Sequence, residues 1–207
     1  MTTSTVRSTL PELLAGLLLA LVAGLWSAAL LGLGPEPLAW TFSRLAGVAG
    51  YAALAASVVL GALMGSRIVP AWLAKPLQYG WHGILAGAGL AATAAHVAFV
   101  MVDARYPQSA LGVLVPGAAT YAPFALALGT LALYAMLAVQ LSFANRKRLA
   151  TRTWRALHLL AYPAFALATG HAVLAGSDAL PWLYLPALGL VGATTALRFV
   201  ERRTLLT

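Results

Sequence analysis

Four histidines, His82, His96, His158 and His171, are the only imidazoles in a chain of 207 residues, and all four lie inside apolar runs. An ionisable side chain at membrane depth is costly and marks function by default. Neutral imidazole can ligate a metal, relay a proton or hydrogen-bond to a neighbouring helix. There is no cysteine, which removes disulfides, thiolate ligands and iron–sulfur clusters from the available chemistry. His82 and His96 are fourteen residues apart (96 − 82), and His158 and His171 thirteen (171 − 158). On helices these are rises of about 21 Å and about 20 Å. On two parallel helices His82 then shares a depth with His158, and His96 with His171. Two imidazoles facing each other at one depth can ligate the iron of a b-type haem from both sides, so two layers would make two stacked haem sites. A single zinc or copper site fits poorly, because ligands to one ion converge within a few ångström while the layers stand about 20 Å apart. The plainer alternative is a haem-free transporter or assembly protein whose histidines relay protons or tie helices together.

Helical phase supports one half of this pairing better than the other. At about 100° per residue, fourteen residues return to within about 40° of the starting face, whereas thirteen leave an offset of about 140°. Pro163 lies between His158 and His171, where a kink can change direction and phase. Between His82 and His96 runs GILAGAGLAATAA, with Gly83, Gly87 and Gly89 and no aromatic ring. Gly83 and Gly87 form a GxxxG pattern that suits a helix-packing seam, and a flat porphyrin needs the same clearance.

The elements that carry these residues follow from hydropathy. The chain is 61% hydrophobic and 9% charged, with a mean hydropathy of +0.86, the balance of an integral membrane protein. A span takes about 20 apolar residues, and six are expected, at about 12–33, 40–64, 78–102, 118–143, 155–176 and 180–199. The breaks GPEP, SRIVPAWLAKP, DARYPQ, NRKRLATR and GSD supply charge, proline or turn formers that hydrocarbon does not accept. Every span must be helical, and alternating barrel strands are absent. The fold expected is an all-α bundle of six transmembrane helices. The first apolar run, of about 20 residues, exceeds the 7 to 15 of a secretory signal core and reads as a retained helix.

Charge sets the orientation. With the N-terminus cytoplasmic, the inner segments hold Arg7, Arg67, Lys75, Arg146, Lys147, Arg148, Arg152, Arg155, Arg198, Arg202 and Arg203, and the outer ones only Arg44 and Arg105. That asymmetry places both termini in the cytoplasm and the protein in the cell (inner) membrane as a multi-pass protein. The net charge of +8 then reflects topology and lipid headgroups, not nucleic acid. Arg67, Lys75, Arg152 and Arg155 are in reach of inner-layer haem propionates by depth, and Arg44 and Arg105 of outer ones, since arginine suits bidentate carboxylate contact. Phe165 falls near mid-depth, within about 20° of the His158 face, and is a candidate relay between layers. Asp103 and Asp178 read as solvated loop residues.

The stretches WHGILAGAGLAATAAHVAF and WRALHLLAYPAFALATGHAVLAGSD resemble the ferric-reductase-like transmembrane domain, a family of ferric chelate reductases, NADPH oxidase membrane halves and the haem-binding membrane subunit of the methionine sulfoxide reductase system. The resemblance covers roughly residues 40–199. It implies that His82 and His158 ligate an inner haem b and His96 and His171 an outer one, two haems being expected. It also implies electron transfer across the membrane to an outer acceptor. A single-haem subunit feeding a periplasmic reductase is the alternative, and in size the chain is nearest that group. Members of it often lack the inner ligand equivalent to His82. The chain departs from the larger oxidases after the sixth span: RFVERRTLLT is too short for a dinucleotide-binding unit of about 30 residues or more, and no GxGxxG loop is present. One transmembrane haem domain over 1–207, with no soluble flavin or nicotinamide domain, is therefore expected. Its electron donor would be a separate flavoprotein reductase or the quinol pool.

Overall fold

The computed structural model describes residues 10–64, 66, 75–176 and 180–203, apart from the side chains at 10, 11, 75, 76, 202 and 203. The described residues are helical throughout their ordered elements: α1 (Leu10–Leu30), α2 (Leu38–Leu63), α3 (Lys75–Val100), α4 (Ala110–Leu114), α5 (Pro123–Ala144), α6 (Thr151–His158), α7 (Ala161–Ala175) and α8 (Pro181–Arg203). Six stretches are long and apolar enough to cross a membrane: Glu12–Leu30, Leu38–Leu63, Leu77–Val100, Pro123–Ala144, Thr151–Ala175 and Pro181–Glu201. These match the expected spans to within a few residues, as a multi-pass membrane protein requires. The fourth begins later than expected, because the connection before it folds into the short helix α4, capped by Ser109 accepting from the Gly112 amide at 3.1 Å.

Large apolar side chains such as Leu14, Leu17, Leu18 and Leu21 on α1 stand exposed, which in water would be prohibitive but in hydrocarbon costs nothing. The bundle is therefore held by a narrow interior. Tyr51, Leu54, Ala55 and Val58 of α2 pack with Phe165 of α7 and Ala187 and Val191 of α8. Tyr51 stacks on Phe165 with ring centroids 5.7 Å apart and shares a 3.1 Å hydrogen bond with Thr169. Helix α1 lies at the periphery, tied by the Trp26 indole N–H donating to the Ala98 carbonyl at 2.9 Å.

Two hairpins organise the site. Helix α2 runs antiparallel against α3, and α5 packs against α6 and α7, while α3 and α7 hardly approach each other. The tightest seam is Gly50 against Gly89: a Cβ on Gly50 would meet the Gly89 carbonyl at 3.4 Å and Thr93 Oγ1 at 3.1 Å. The expected GxxxG seam is not used in this way, since a Cβ on Gly83 or Gly87 would have nothing within 4 Å.

The fifth span is broken in two. After His158 the backbone passes through bonds from Leu160 N–H to Leu157 and from Tyr162 N–H to Leu159, both at 3.1 Å, before Pro163 enters the first turn of α7. Such i→i−3 bonds belong to a 3₁₀ turn, which advances about 120° per residue against about 100° in an α-helix. A short run therefore removes a good part of the phase offset between His158 and His171. The proline, which lacks an N–H, fixes where the tightening occurs.

Helix α5 starts with a strained residue. Ala122 precedes Pro123 at φ 41° and ψ 56°, a left-handed conformation that costs a residue with a Cβ about 1–2 kcal/mol. Ala122→Gly is expected to stabilise the protein by about 0.5–1 kcal/mol after the added freedom of the unfolded chain is set against the relief. A thermal midpoint in detergent that falls instead of rising would contradict this.

Candidate functional site

The slot between α3 and α6–α7 contains the four histidines as two facing pairs. His82 and His158 have ring centroids 6.0 Å apart at an interplanar angle of 64°, and His96 and His171 are 6.0 Å apart at 74°. An imidazole nitrogen lies about 1 Å from its ring centroid and a metal–imidazole bond is about 2 Å, so two imidazoles on one ion stand with centroids about 6 Å apart. Both pairs meet that spacing. Among the described residues no three His, Asp or Glu side chains converge, so metal ligation here rests on pairs.

Three of the rings are aimed by the helix behind them. His82 Nδ1 lies 2.9 Å from the Ser57 carbonyl and 3.1 Å from its hydroxyl. His96 Nδ1 lies 2.8 Å from the Ser43 carbonyl and 3.1 Å from its hydroxyl. His171 Nδ1 lies 2.9 Å from the Ala125 carbonyl. A carbonyl only accepts, so each Nδ1 carries the proton and each Nε2 keeps its lone pair on the opposite side of the ring. This is the arrangement by which metal-binding histidines are oriented and made more basic.

Each docked ring also needs room, and a glycine one turn beyond the accepting carbonyl provides it. A Cβ on Gly47 would stand 3.0 Å from His96 Nδ1, one on Gly61 3.2 Å from His82 Cε1, and one on Gly129 2.8 Å from His171 Nδ1. Ser43 and Gly47, Ser57 and Gly61, and Ala125 and Gly129 thus repeat one cradle of carbonyl and bare backbone at i and i+4. On α2 the two cradles are fourteen residues apart (57 − 43), the spacing of His82 and His96 on α3. This repeat is present in the sequence and was legible as Ser-x-x-x-Gly twice at the histidine spacing.

His158 is different. Its Nδ1 is buried with no hydrogen-bond partner among the described residues, as is the indole nitrogen of Trp154. The two rings stack at 5.5 Å and 29°. One ligand spacing beyond Gly129 on α5 stand Ser142 and Phe143, so no glycine cradle faces His158. An enclosed polar group left unpaired costs about 1–3 kcal/mol.

Two cavities border the pairs. One of about 320 Å³ is lined by His96 and His171 and roofed by Trp40, Arg44, Arg105 and Tyr121. One of about 110 Å³ is lined by His82, His158, Gly83 and Phe143. Open space at Gly83 and Gly87 leaves the clearance that a flat ring needs beside α3. Leu54 and Met136 line both cavities and so lie between the layers. Phe165, expected there, lines neither: it is buried in the α2–α7–α8 core.

The expected cationic residues divide likewise. Arg44 and Arg105 both border the larger cavity and both reach over the Trp40 ring, at 4.3 Å and 5.2 Å. Asp103 is buried, not solvated, with its carboxylate accepting from the Arg105 amide at 3.1 Å. Gln108 braces the same connection, donating to Thr120 and accepting from its amide at 3.0 Å each. At the other end Arg152 and Arg155 are exposed and border neither cavity. Arg67 and Asp178 lie outside the described residues, as does the Lys75 side chain. The cation that reaches the His82 layer is Arg198 of α8, donating to the Gly61 carbonyl at 2.8 Å. Sequence reasoning assigned it to topology alone, and only the packing of α8 on α2 reveals it.

Gly129→Ala would place a methyl carbon inside the contact distance of His171 and is expected to destabilise the protein by about 1–3 kcal/mol. Gly87→Ala, which meets open space, should be close to neutral, and equal thermal midpoints for the two variants would count against the cradle. Compared with known proteins, the chain matches no family model, no curated protein and no solved structure.

Proposed function

We propose that the chain is a transmembrane b-type cytochrome of the ferric-reductase-like kind, in which the two histidine layers hold haem b. The observation that carries this reading is the pair of facing imidazoles at 6.0 Å in each layer, with three of the four rings held by Nδ1 so that Nε2 is left to bind iron. Haem supplies a one-electron iron couple, and the protein's own residues do the rest. The histidines occupy both axial positions, which directs electrons through the ring edge and not through an iron-bound substrate. Arg44 and Arg105 border the larger cavity where they can hold propionates. Arg198 places a positive charge beside the smaller one. Leu54 and Met136 fill the space that an electron crosses between layers.

The positive-inside distribution of basic residues orients this path. Both termini and the His82–His158 layer face the cytoplasm, the His96–His171 layer faces outward, and the membrane is the cell's inner one. Electrons enter from a separate flavoprotein or quinol and leave to an outer acceptor such as ferric iron, oxygen or a periplasmic enzyme. A single-haem form, with only the His96–His171 layer filled and a periplasmic reductase as acceptor, draws support from the threefold difference between the cavities and from the unpaired Nδ1 of His158.

The purified chain should show a Soret band and reduced b-type peaks with two haems per chain; one haem selects the single-haem form, and none removes the reading in favour of a haem-free transporter. His82→Ala or His158→Ala should remove the haem of one layer and His96→Ala or His171→Ala that of the other. Full haem content in all four variants would sink the assignment. The crossed ring planes, 64° and 74°, should give the ferric protein a strongly anisotropic low-spin electron paramagnetic resonance signal. In a redox titration Arg44→Gln should make the outer-layer potential more negative, since a cation that stabilises the added electron is lost. Arg155→Gln, at an exposed position bordering neither cavity, should leave both potentials unchanged.

A further inference from the structure

Resting on the reading above, we infer that the His82–His158 layer is a binding site for a small neutral diatomic ligand, with His158 as the imidazole that gives way. Three independent observations separate His158 from the other three histidines. Its Nδ1 has no acceptor among the described residues, whereas His82, His96 and His171 each dock on a main-chain carbonyl. A histidine without that bond is a weaker and less firmly oriented ligand. Its place opposite α5 has no glycine cradle, because Phe143 borders the cavity where a ring would need bare backbone.

Its helix is also the least anchored of those carrying a histidine. Helix α6 has eight residues, none of them buried, and ends at His158. The chain then turns through Leu159 and Leu160 before α7 begins. His171, by contrast, lies within the fifteen residues of α7, whose Ala164, Phe165 and Thr169 are buried. A swing of α6 about the 159–160 turn can withdraw His158 without disturbing α7. His82 on α3 stays fixed by Ser57. The stacked Trp154 ring is then what holds His158 in place from behind.

Ligand entry exchanges one coordinate bond for another. The bond from His158 Nε2 to ferrous iron breaks, the imidazole keeps its electron pair, and the carbon of carbon monoxide takes the position, with no net oxidation or reduction. The probe is therefore carbon monoxide added to the dithionite-reduced full chain in neutral-lipid nanodiscs, read by the visible difference spectrum. Half of the haem should shift to the carbonyl form, since the outer layer keeps both ligands. Trp154→Ala, which frees the back of the His158 ring, should raise carbon monoxide affinity about tenfold, the lower end of the range for losing an outer-shell partner. Trp154→Phe keeps a stacked ring and should behave as the wild type.

Haem-loaded protein with two haems and no carbonyl shift overturns the inference while leaving the cytochrome reading intact. A carbonyl shift with the same affinity in wild type and Trp154→Ala also overturns it, because the open iron is then not the one under His158. One haem per chain overturns it by leaving the His82–His158 layer without iron, and absence of any haem overturns both readings.

Discussion

The hydrogen bond from an imidazole Nδ1 to a main-chain carbonyl of the helix behind it governs this structure. Buried carbonyls of a transmembrane helix are normally committed to the i+4 amide, but each has a second lone pair. Ser43, Ser57 and Ala125 use it to hold a histidine of the adjacent helix. The bond fixes ring orientation and proton position together, and it demands a close approach that only glycine at i+4 permits. Small residues on α2 are therefore tied to the histidines of α3, and the position of each histidine to the register of the two helices.

That constraint explains why α2 is the best-covered helix of the bundle. One face, with Ser43, Gly47, Gly50, Ser57 and Gly61, meets α3. Another, with Tyr51, Leu54 and Val58, meets α7 and α8. The remaining apolar side chains of the bundle point outward, where hydrocarbon makes their exposure neutral. Interior packing is spent on holding ring angles rather than on a large core.

The spans were legible because hydropathy over about 20 residues is a strong signal, and the histidine layers because equal rises on two helices survive modest errors in boundaries. The phase of His171 was not legible: it depends on a 3₁₀ turn at 157–162, and the sequence shows only Pro163 as its marker. The cradles were written in plain view as SRLAG and SVVLG at 43–47 and 57–61, but they mean nothing until α2 and α3 are known to be antiparallel neighbours. Asp103 and Arg198 were misjudged for a shared reason. Each lies at a span end, where composition cannot distinguish a solvated charge from one folded back over a cavity.

The hairpin of α2 and α3 contains everything needed to orient His82 and His96, and the hairpin of α5 and α7 orients His171. Little backbone contact joins α3 to α7 across the slot. During biogenesis, half of the ligand set can thus reach its final tautomer as soon as the first hairpin leaves the translocon, before the later spans are made. A cofactor captured between the hairpins would act as a clasp closing two prefabricated halves, so cofactor supply would set when the bundle matures and how well it resists membrane proteases until then.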